Sequence, residues 1–356
     1  MKLLHTSDLH LSSPLTSHLP AERARIRRRE MLEVFHRLTE AAKREGCAGI
    51  IIAGDLFDSE RVTEIALSDI LDTIRRESAL SFYYLPGNHE GELIRRSGAE
   101  LPKNLYIFGE GWTSFARYDT VITGRTSLAR GAFDELSLDR TRKNVVVLHG
   151  ELRDTSDVGV IGRRDAIGRG INYLALGHYH SFSEERLDGN TVAVYCGTPE
   201  GRGFDEVGEK GYVIIDTDKA KIVPRFVPFA KRQIHHVRLP LDGIMTQGEL
   251  TERVGDALAK IPDTSLVRLE LCGSYREGAW KSLETLRARY ENAFFYFEIK
   301  DTSRMALEPE RLKHDKTLKG EFIRLVMNDE SISPDMKDKI ISCGLYSLIG
   351  IALYEE

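Results

Sequence analysis

Cysteine is scarce and scattered in this sequence. The four, Cys47, Cys196, Cys272 and Cys343, stand far apart with no CxxC pair. That spacing argues against a zinc ribbon or a disulfide framework and for a reducing compartment. Net positive charge is missing too: 50 Lys and Arg face 55 Asp and Glu, a formal charge of −5. A globally basic nucleic-acid binder is thereby excluded, and any polyanion must be met by a local patch or by metal ions. No apolar run is long enough to span a bilayer. The N-terminus turns polar at His5 after two leucines, which fits no signal peptide, and the stretch from Leu345 to Tyr354 is too short to cross. The expectation is a cytoplasmic protein with no membrane association. Internal repeats and low-complexity tracts are absent as well.

What remains is a chain rich enough in apolar residues, 41% of 356, to bury a substantial core in about two domains. Residues 1 to about 225 repeat one phrase, a short apolar run followed by a Gly, Asp, His or Asn cluster. The runs are Lys2–His5, Gly49–Ala53, Ser81–Leu85, Val145–Leu148, Tyr173–Leu176, Val192–Tyr195 and Tyr212–Asp216, each the length of a buried strand. Helical spacing separates the early ones, over Ala21–Gly46 and Thr63–Glu77. The composition breaks after Val223-Pro224 and Val227-Pro228. Beyond it come strand Ile234–Leu239, helix Gln247–Lys260, strand Ser265–Cys272, helix Trp280–Tyr290 and strand Ala293–Lys300. Two helices broken at Ser333-Pro334 follow. The expected division is 1–228, 229–305 and 306–356.

Five clusters each follow an expected strand: Asp8-Leu9-His10, Gly54-Asp55-Leu56-Phe57-Asp58, Gly87-Asn88-His89-Glu90, His149-Gly150-Glu151 and Gly177-His178-Tyr179-His180. Strand ends in such sheets are where loops converge over a ligand. If the strand persists, residues at i and i+2 point the same way, so Asp8 with His10, and His178 with His180, can reach one ion. Carboxylate, amide and imidazole without thiolate suit manganese, iron or zinc. Seven or eight such side chains are too many for one ion and about right for two. Taken singly, each cluster has a plain structural explanation, as a helix cap, a turn or a core histidine. Taken together, a structural account would need a separate partner for every buried polar group.

In this order, the clusters resemble the calcineurin-like metallophosphoesterase superfamily. Within it, His5-Thr6-Ser7-Asp8-Leu9-His10-Leu11 and Ala53-Gly54-Asp55-Leu56-Phe57-Asp58 resemble the SbcD/YhaO-type DNA repair exonucleases. Cys196-Gly197-Thr198-Pro199-Glu200-Gly201-Arg202-Gly203-Phe204, followed by Lys210-Gly211, resembles that family's segment after the last histidine pair. The resemblance implies an α/β fold: a layered β-sandwich flanked by helices, with a small α+β capping domain and a helical C-terminal tail. It also implies one metal on Asp8, His10 and His180, a second on Asn88, His149 and His178, and Asp55 bridging them. Two divalent ions are expected, Mn2+ foremost. His89 would face the scissile phosphate as the catalytic group. Asp58 would have no ligand role and serve as a helix cap or as a support behind the ligands, and Glu90 would orient His89 at most. The expected activity is 3′-to-5′ DNA exonuclease with single-strand endonuclease. The expected partners are DNA, an SbcC-like ABC-type ATPase with a coiled coil, and a second copy in a homodimer.

Some readings stay open in the sequence. The run Arg23, Arg25, Arg27, Arg28 and Arg29 reads as a solvated helix face paired with Glu22, Glu30 and Glu33 rather than a phosphate track. Arg202 is a candidate for substrate binding, or pairs with Asp205 or Glu206. His18 could reach substrate from a loop. The tail either grips a partner or packs on its own module. Two rival functions remain, a phosphodiesterase of the same fold for a small nucleotide-type substrate and a DNA-end-tethering scaffold with little catalysis.

Overall fold

Strands that are apolar at every position need cover on both faces, and those of the first 216 residues find it in a sandwich of two six-stranded sheets. The computed structural model describes residues 1–13, 19–59, 62–155, 157–275, 281–306, 314 and 316–348. In chain order it begins with β1 (Lys2–Thr6), α1 (Ala21–Arg44), β2 (Gly49–Ala53), α2 (Glu64–Arg76), β3 (Ser81–Leu85) and α3 (Leu93–Arg96). Next come β4 (Leu105–Ile107), β5 (Thr113–Arg117), β6 (Thr120–Gly124), β7 (Lys143–His149), β8 (Glu151–Arg153), β9 (Val160–Gly162) and α4 (Arg163–Ala166). Then follow β10 (Tyr173–Gly177), β11 (Ser183–Arg186), β12 (Val192–Tyr195), β13 (Gly211–Asp216) and β14 (Arg225–Pro228). One sheet has the order β14-β13-β1-β2-β3-β4, the other β11-β12-β10-β7-β6-β5.

The period-two alternation of strand side chains divides the core into layers. Leu3, Ile51, Ala53, Tyr83 and Leu85 of the first sheet meet Val145, Val147, Tyr173, Ala175 and Val194 of the second. Their neighbours Leu4, Ile50, Ile52 and Phe82 face the other way, onto Val34, Phe35 and Leu38 of α1 and Ile70 and Ile74 of α2. On the far side, Val146, Leu148, Leu174 and Leu176 are covered by Phe133, Ile161 and Ile171. Every strand expected from the apolar runs forms. The strands β4, β5, β8, β9, β11 and β14 had no such run to announce them, because edge and half-covered strands carry mixed residues such as Ser-Glu-Glu-Arg in β11; β6, buried between β5 and β7, was also not expected.

The arginine run departs from its expected reading. The inward stripe of α1, Ala24, Met31, Val34 and Phe35, takes in Arg27 and Glu30 as well. Arg27 is 1% exposed. It donates to Glu30 at 2.8 Å, to Glu200 at 3.1 Å and to the Gly201 carbonyl at 2.7 Å. Glu200, fully buried, also accepts from Arg37 and from the backbone N–H groups of Lys231 and Arg232. Arg232 donates in turn to Glu30. Only the outer members of the run behave as a solvated face, as in the exposed Arg29–Glu33 pair.

The chain forms two compact units. The first comprises Met1–His235 with the short pieces Pro262–Leu266 and Phe294–Tyr296, and the second His236–Ile261, Val267–Ala293 and Phe297–Glu356. The later elements are β15 (Ile234–Pro240), α5 (Gln247–Leu258), β16 (Leu266–Cys272), β17 (Ser274–Tyr275), α6 (Leu283–Tyr290), β18 (Tyr296–Asp301) and β19 (Arg304–Met305). β15, β16 and β18 make a three-stranded sheet in that order. Thr246 opens α5 with a reciprocal capping box to Glu249. α7 (Leu318–Asn328) and α8 (Pro334–Leu348) close the described chain, packed on each other through Ile323, Val326, Ile341 and Leu345. α8 starts at the proline that marks the break in the sequence, the position where a missing N–H costs nothing. Among the described residues, no helix is long and apolar enough to cross a membrane. The expected helix start at Trp280 and the candidate His18 lie outside the described residues.

Removing Arg27 takes one countercharge from each of two buried carboxylates, leaving Glu200 with Arg37 and Glu30 with Arg232. Arg27→Met is expected to lower unfolding stability by about 3–5 kcal/mol in denaturant titration. Exposed Arg25→Met should stay within about 0.5 kcal/mol of the parent.

Candidate active site

β1, β2 and β3 run parallel in the first sheet, and β7 and β10 run parallel in the second, so the residues just after them collect at shared edges. The loops after β1 and β2 continue side by side. The N–H groups of Asp8, His10 and Leu11 donate to the carbonyls of Gly54, Asp55 and Leu56 at 3.0, 3.0 and 2.9 Å. The second sheet joins through His149, whose Nδ1 donates to the Ala53 carbonyl at 2.9 Å. Two glycines make this approach possible. A Cβ at Gly54, where φ is +94°, would stand 2.0 Å from His149 Nδ1, and one at Gly87 would stand 2.0 Å from Asp55 Oδ1. Asp8, His10, Asp55 and His178 themselves hold positive φ. Backbone of this kind persists where surrounding structure over-determines it, typically at working sites.

Asp8, His10 and His180 present donor atoms within 4.8 Å of one another, and Asp8, Asp55 and His149 do the same. The Nε2 atoms of His10 and His180 are 3.3 Å apart. His180 Nε2 lies 3.8 Å from Asp8 Oδ1. Asp55 Oδ2 lies 3.4 Å from His149 Nε2 and 3.8 Å from the Nε2 atoms of His10 and His89. The His178 ring stands 5.5 Å from that of His149, centroid to centroid, and its backbone N–H donates to both oxygens of Asp8 at 3.1 Å. Asn88 is exposed on the same turn as His89, whose N–H donates to Asp55 Oδ1 at 3.2 Å. Asp8, His10, Asp55, His149 and His180 thus meet directly, while Asn88 and His178 flank them.

Burial and charge compensation oppose each other here. Burial pushes the Asp8 carboxyl above its ordinary value, against the pull of His149. Burial acts on Asp55 in the same sense, but His149 and His10 outweigh it and hold the carboxyl at about 2. The same carboxylates overcome the burial of His149 and lift it to about 9. His149 Nε2 is buried and faces Asp55 Oδ2 at 3.4 Å, outside hydrogen-bond alignment. A ring nitrogen left over among carboxylates is the donor a divalent cation would use, so the residues present fit a metal.

Residues 1–207 match the calcineurin-like phosphoesterase family. The chain belongs to that family. An uncharacterized metallophosphoesterase, YhaO of Bacillus subtilis, is 28% identical over 246 residues, 64% of this chain and 60% of the relative. The DNA double-strand break repair protein Mre11 of Methanopyrus kandleri is 27% identical over 63% of this chain and 55% of that protein. A component of the nuclease SbcCD of Staphylococcus saprophyticus is 24% identical over 64% of this chain and 69% of its own. The chain thus spans somewhat more than half the length of the first two.

Glu90 and Glu206 of this phosphoesterase do more than their expected roles. Glu90 does not simply orient His89. It is fully buried, and its Oε1 accepts from the N–H groups of Leu56 and Gly87 at 3.1 and 3.0 Å and from the Tyr84 hydroxyl at 2.9 Å, so it ties the β2 and β3 loops together. His89 is held instead by the Asp58 carbonyl, 3.1 Å from its Nδ1. Asp58 Oδ1 lies 3.1 Å from His10 Nδ1 and accepts from Arg202 at 2.9 Å, which agrees with its alternative role behind the ligands and not with a helix cap. Glu206 accepts from His180 Nδ1 at 2.7 Å and from Arg202. Of the two acidic partners considered for Arg202, Glu206 is the one it pairs with. The sequence offered Glu206 only as a partner of Arg202; nothing in the spacing announced its link to His180, which is made only in space.

Burial pushes the Glu90 carboxyl above its ordinary value, so its charge works against the fold at neutral pH while its Oε1 works for it. Glu90→Gln keeps the acceptor and should cost no more than about 1 kcal/mol. Glu90→Ala leaves three donors unanswered and should cost about 3 kcal/mol, at about 1 kcal/mol each, read from denaturant midpoints.

Proposed function

We propose that this phosphoesterase is a two-metal-dependent phosphodiesterase acting on DNA, a 3′-to-5′ exonuclease and single-strand endonuclease in repair. The reading is carried by the meeting of Asp8, His10, Asp55, His149 and His180 within a few ångströms at the ends of four strands, β1, β2, β7 and β10. One metal would be held by Asp8, His10 and His180, the other by Asn88, His149 and His178, with Asp55 shared, and Mn2+ suits this donor set. Such ions supply a hydroxide at neutral pH and offset the charge of a phosphodiester, which answers how a chain of net charge −5 would accept DNA.

His89 is the chain's own proton carrier in this reading. Its side chain is 49% exposed, open to a substrate, whereas Asp8, His10, Asp55 and His149 are buried. With Nδ1–H donated to the Asp58 carbonyl, Nε2 is the atom turned to the site, ready to hold or deliver a proton at a leaving oxygen. The relatives named for break repair and for SbcCD support DNA as substrate and an SbcC-like ABC-type ATPase with a coiled coil as partner. The 229–305 segment would cap the substrate, and the 306–356 tail would reach the ATPase. A homodimer completes the reading.

Asp55→Asn is expected to abolish Mn2+-dependent release of nucleotides from an end-labelled duplex while its circular dichroism matches the parent. His89→Ala should keep two bound metals and lose activity by about 10²–10⁴-fold; loss of metal instead would place His89 among the ligands. Cleavage of a small chromogenic diester, but not of DNA with or without the ATPase, would keep the site and overturn the substrate.

A further inference from the structure

Arg202 stands beside the site as a substrate-binding arginine would, yet its donors turn onto two carboxylates of the protein itself. Nη1 donates to Asp58 Oδ1 at 2.9 Å, while Nη2 and Nε donate to Glu206 Oε1 at 2.9 and 3.0 Å. The Arg202 backbone N–H donates to Glu206 Oε2 at 2.8 Å. Each of these carboxylates also stands behind a histidine. Glu206 Oε1 accepts from His180 Nδ1 at 2.7 Å, and Asp58 Oδ1 lies 3.1 Å from His10 Nδ1, an ion-pair distance without the alignment of a hydrogen bond. On the opposite edge of the two rings, the Nε2 atoms face each other at 3.3 Å. A carboxylate behind Nδ1 sets both the ring orientation and which nitrogen keeps its lone pair. His149 takes its orientation from a different group, the Ala53 carbonyl.

We infer that Arg202 is a positioning residue for one of the two metal positions only, that of Asp8, His10 and His180. By bridging Asp58 and Glu206 it fixes both carboxylates at the backs of two rings and offsets two negative charges that would otherwise pull toward the cation. Its planar fork reaches both partners at once, which a lysine ammonium does not. The inference rests on the two-metal reading of the site.

The test is calorimetric titration of the metal-free full chain with Mn2+. The parent should take up two ions. Arg202→Gln should bind one of them within threefold of the parent and the other 10- to 100-fold more weakly, and Arg202→Lys should fail to restore it. Asp58→Asn, which changes a partly exposed side chain and is expected to fold, should weaken the same ion about tenfold and leave the other. Unchanged binding of both ions in Arg202→Gln and Asp58→Asn would overturn the inference, and so would equal weakening of both, which marks general support of the fold. A parent that binds fewer than two ions would overturn the two-metal reading, and this inference with it.

Discussion

Two carboxylates, those of Asp8 and Asp55, sit almost wholly out of water where the sheets meet. An unpaired buried charge is too costly to persist, and the surrounding structure is arranged to answer these two. Ser7 and the N–H of His178 donate to Asp8, the N–H of His89 donates to Asp55, and His10, His149 and His180 crowd in. The glycines at 54 and 87 exist in this arrangement because any side chain there would fill the space that His149 and Asp55 need.

A second layer of charge holds the first. Glu206, Asp58 and Arg202 stand behind His180 and His10. Deeper still, Glu200 and Glu30 are tied to Arg27, Arg37 and Arg232, joining α1 to the segment that carries Arg202. Acid and base alternate through this part of the protein, so each buried charge has a neighbour of opposite sign. This is how a site of several acids and imidazoles fits into a fold whose layers are otherwise aliphatic.

The likeness to relatives follows the same gradient. The family match covers residues 1–207, the part that holds every residue of the cluster. The second unit carries a small sheet and a pair of helices packed on each other. Substrate class and partners depend on what surrounds the metal-type cluster, since one fold serves many reactions.

Much of this was legible in the residues alone. Gly49–Ala53, Ser81–Leu85 and Val192–Tyr195 have the predicted bounds to the residue, because strands covered on both faces must be apolar throughout. The strand-end clusters pointed to a shared site because Asp, His and Asn after buried strands are costly unless they share a purpose, and the family was named by the resemblance of their ordered motifs. What the sequence could not determine is pairing across space. Arg27 belongs to a charge run in the sequence and to the interior in the fold, since its helix face, not its neighbours, decides its solvent. Glu90 follows His89 in the chain but serves Leu56, Gly87 and Tyr84. Glu206 and Asp58 lie 148 positions apart in number and are joined by one guanidinium. Strand pattern and residue type are local properties that a sequence displays; which carboxylate stands behind which histidine is decided only when the two sheets close.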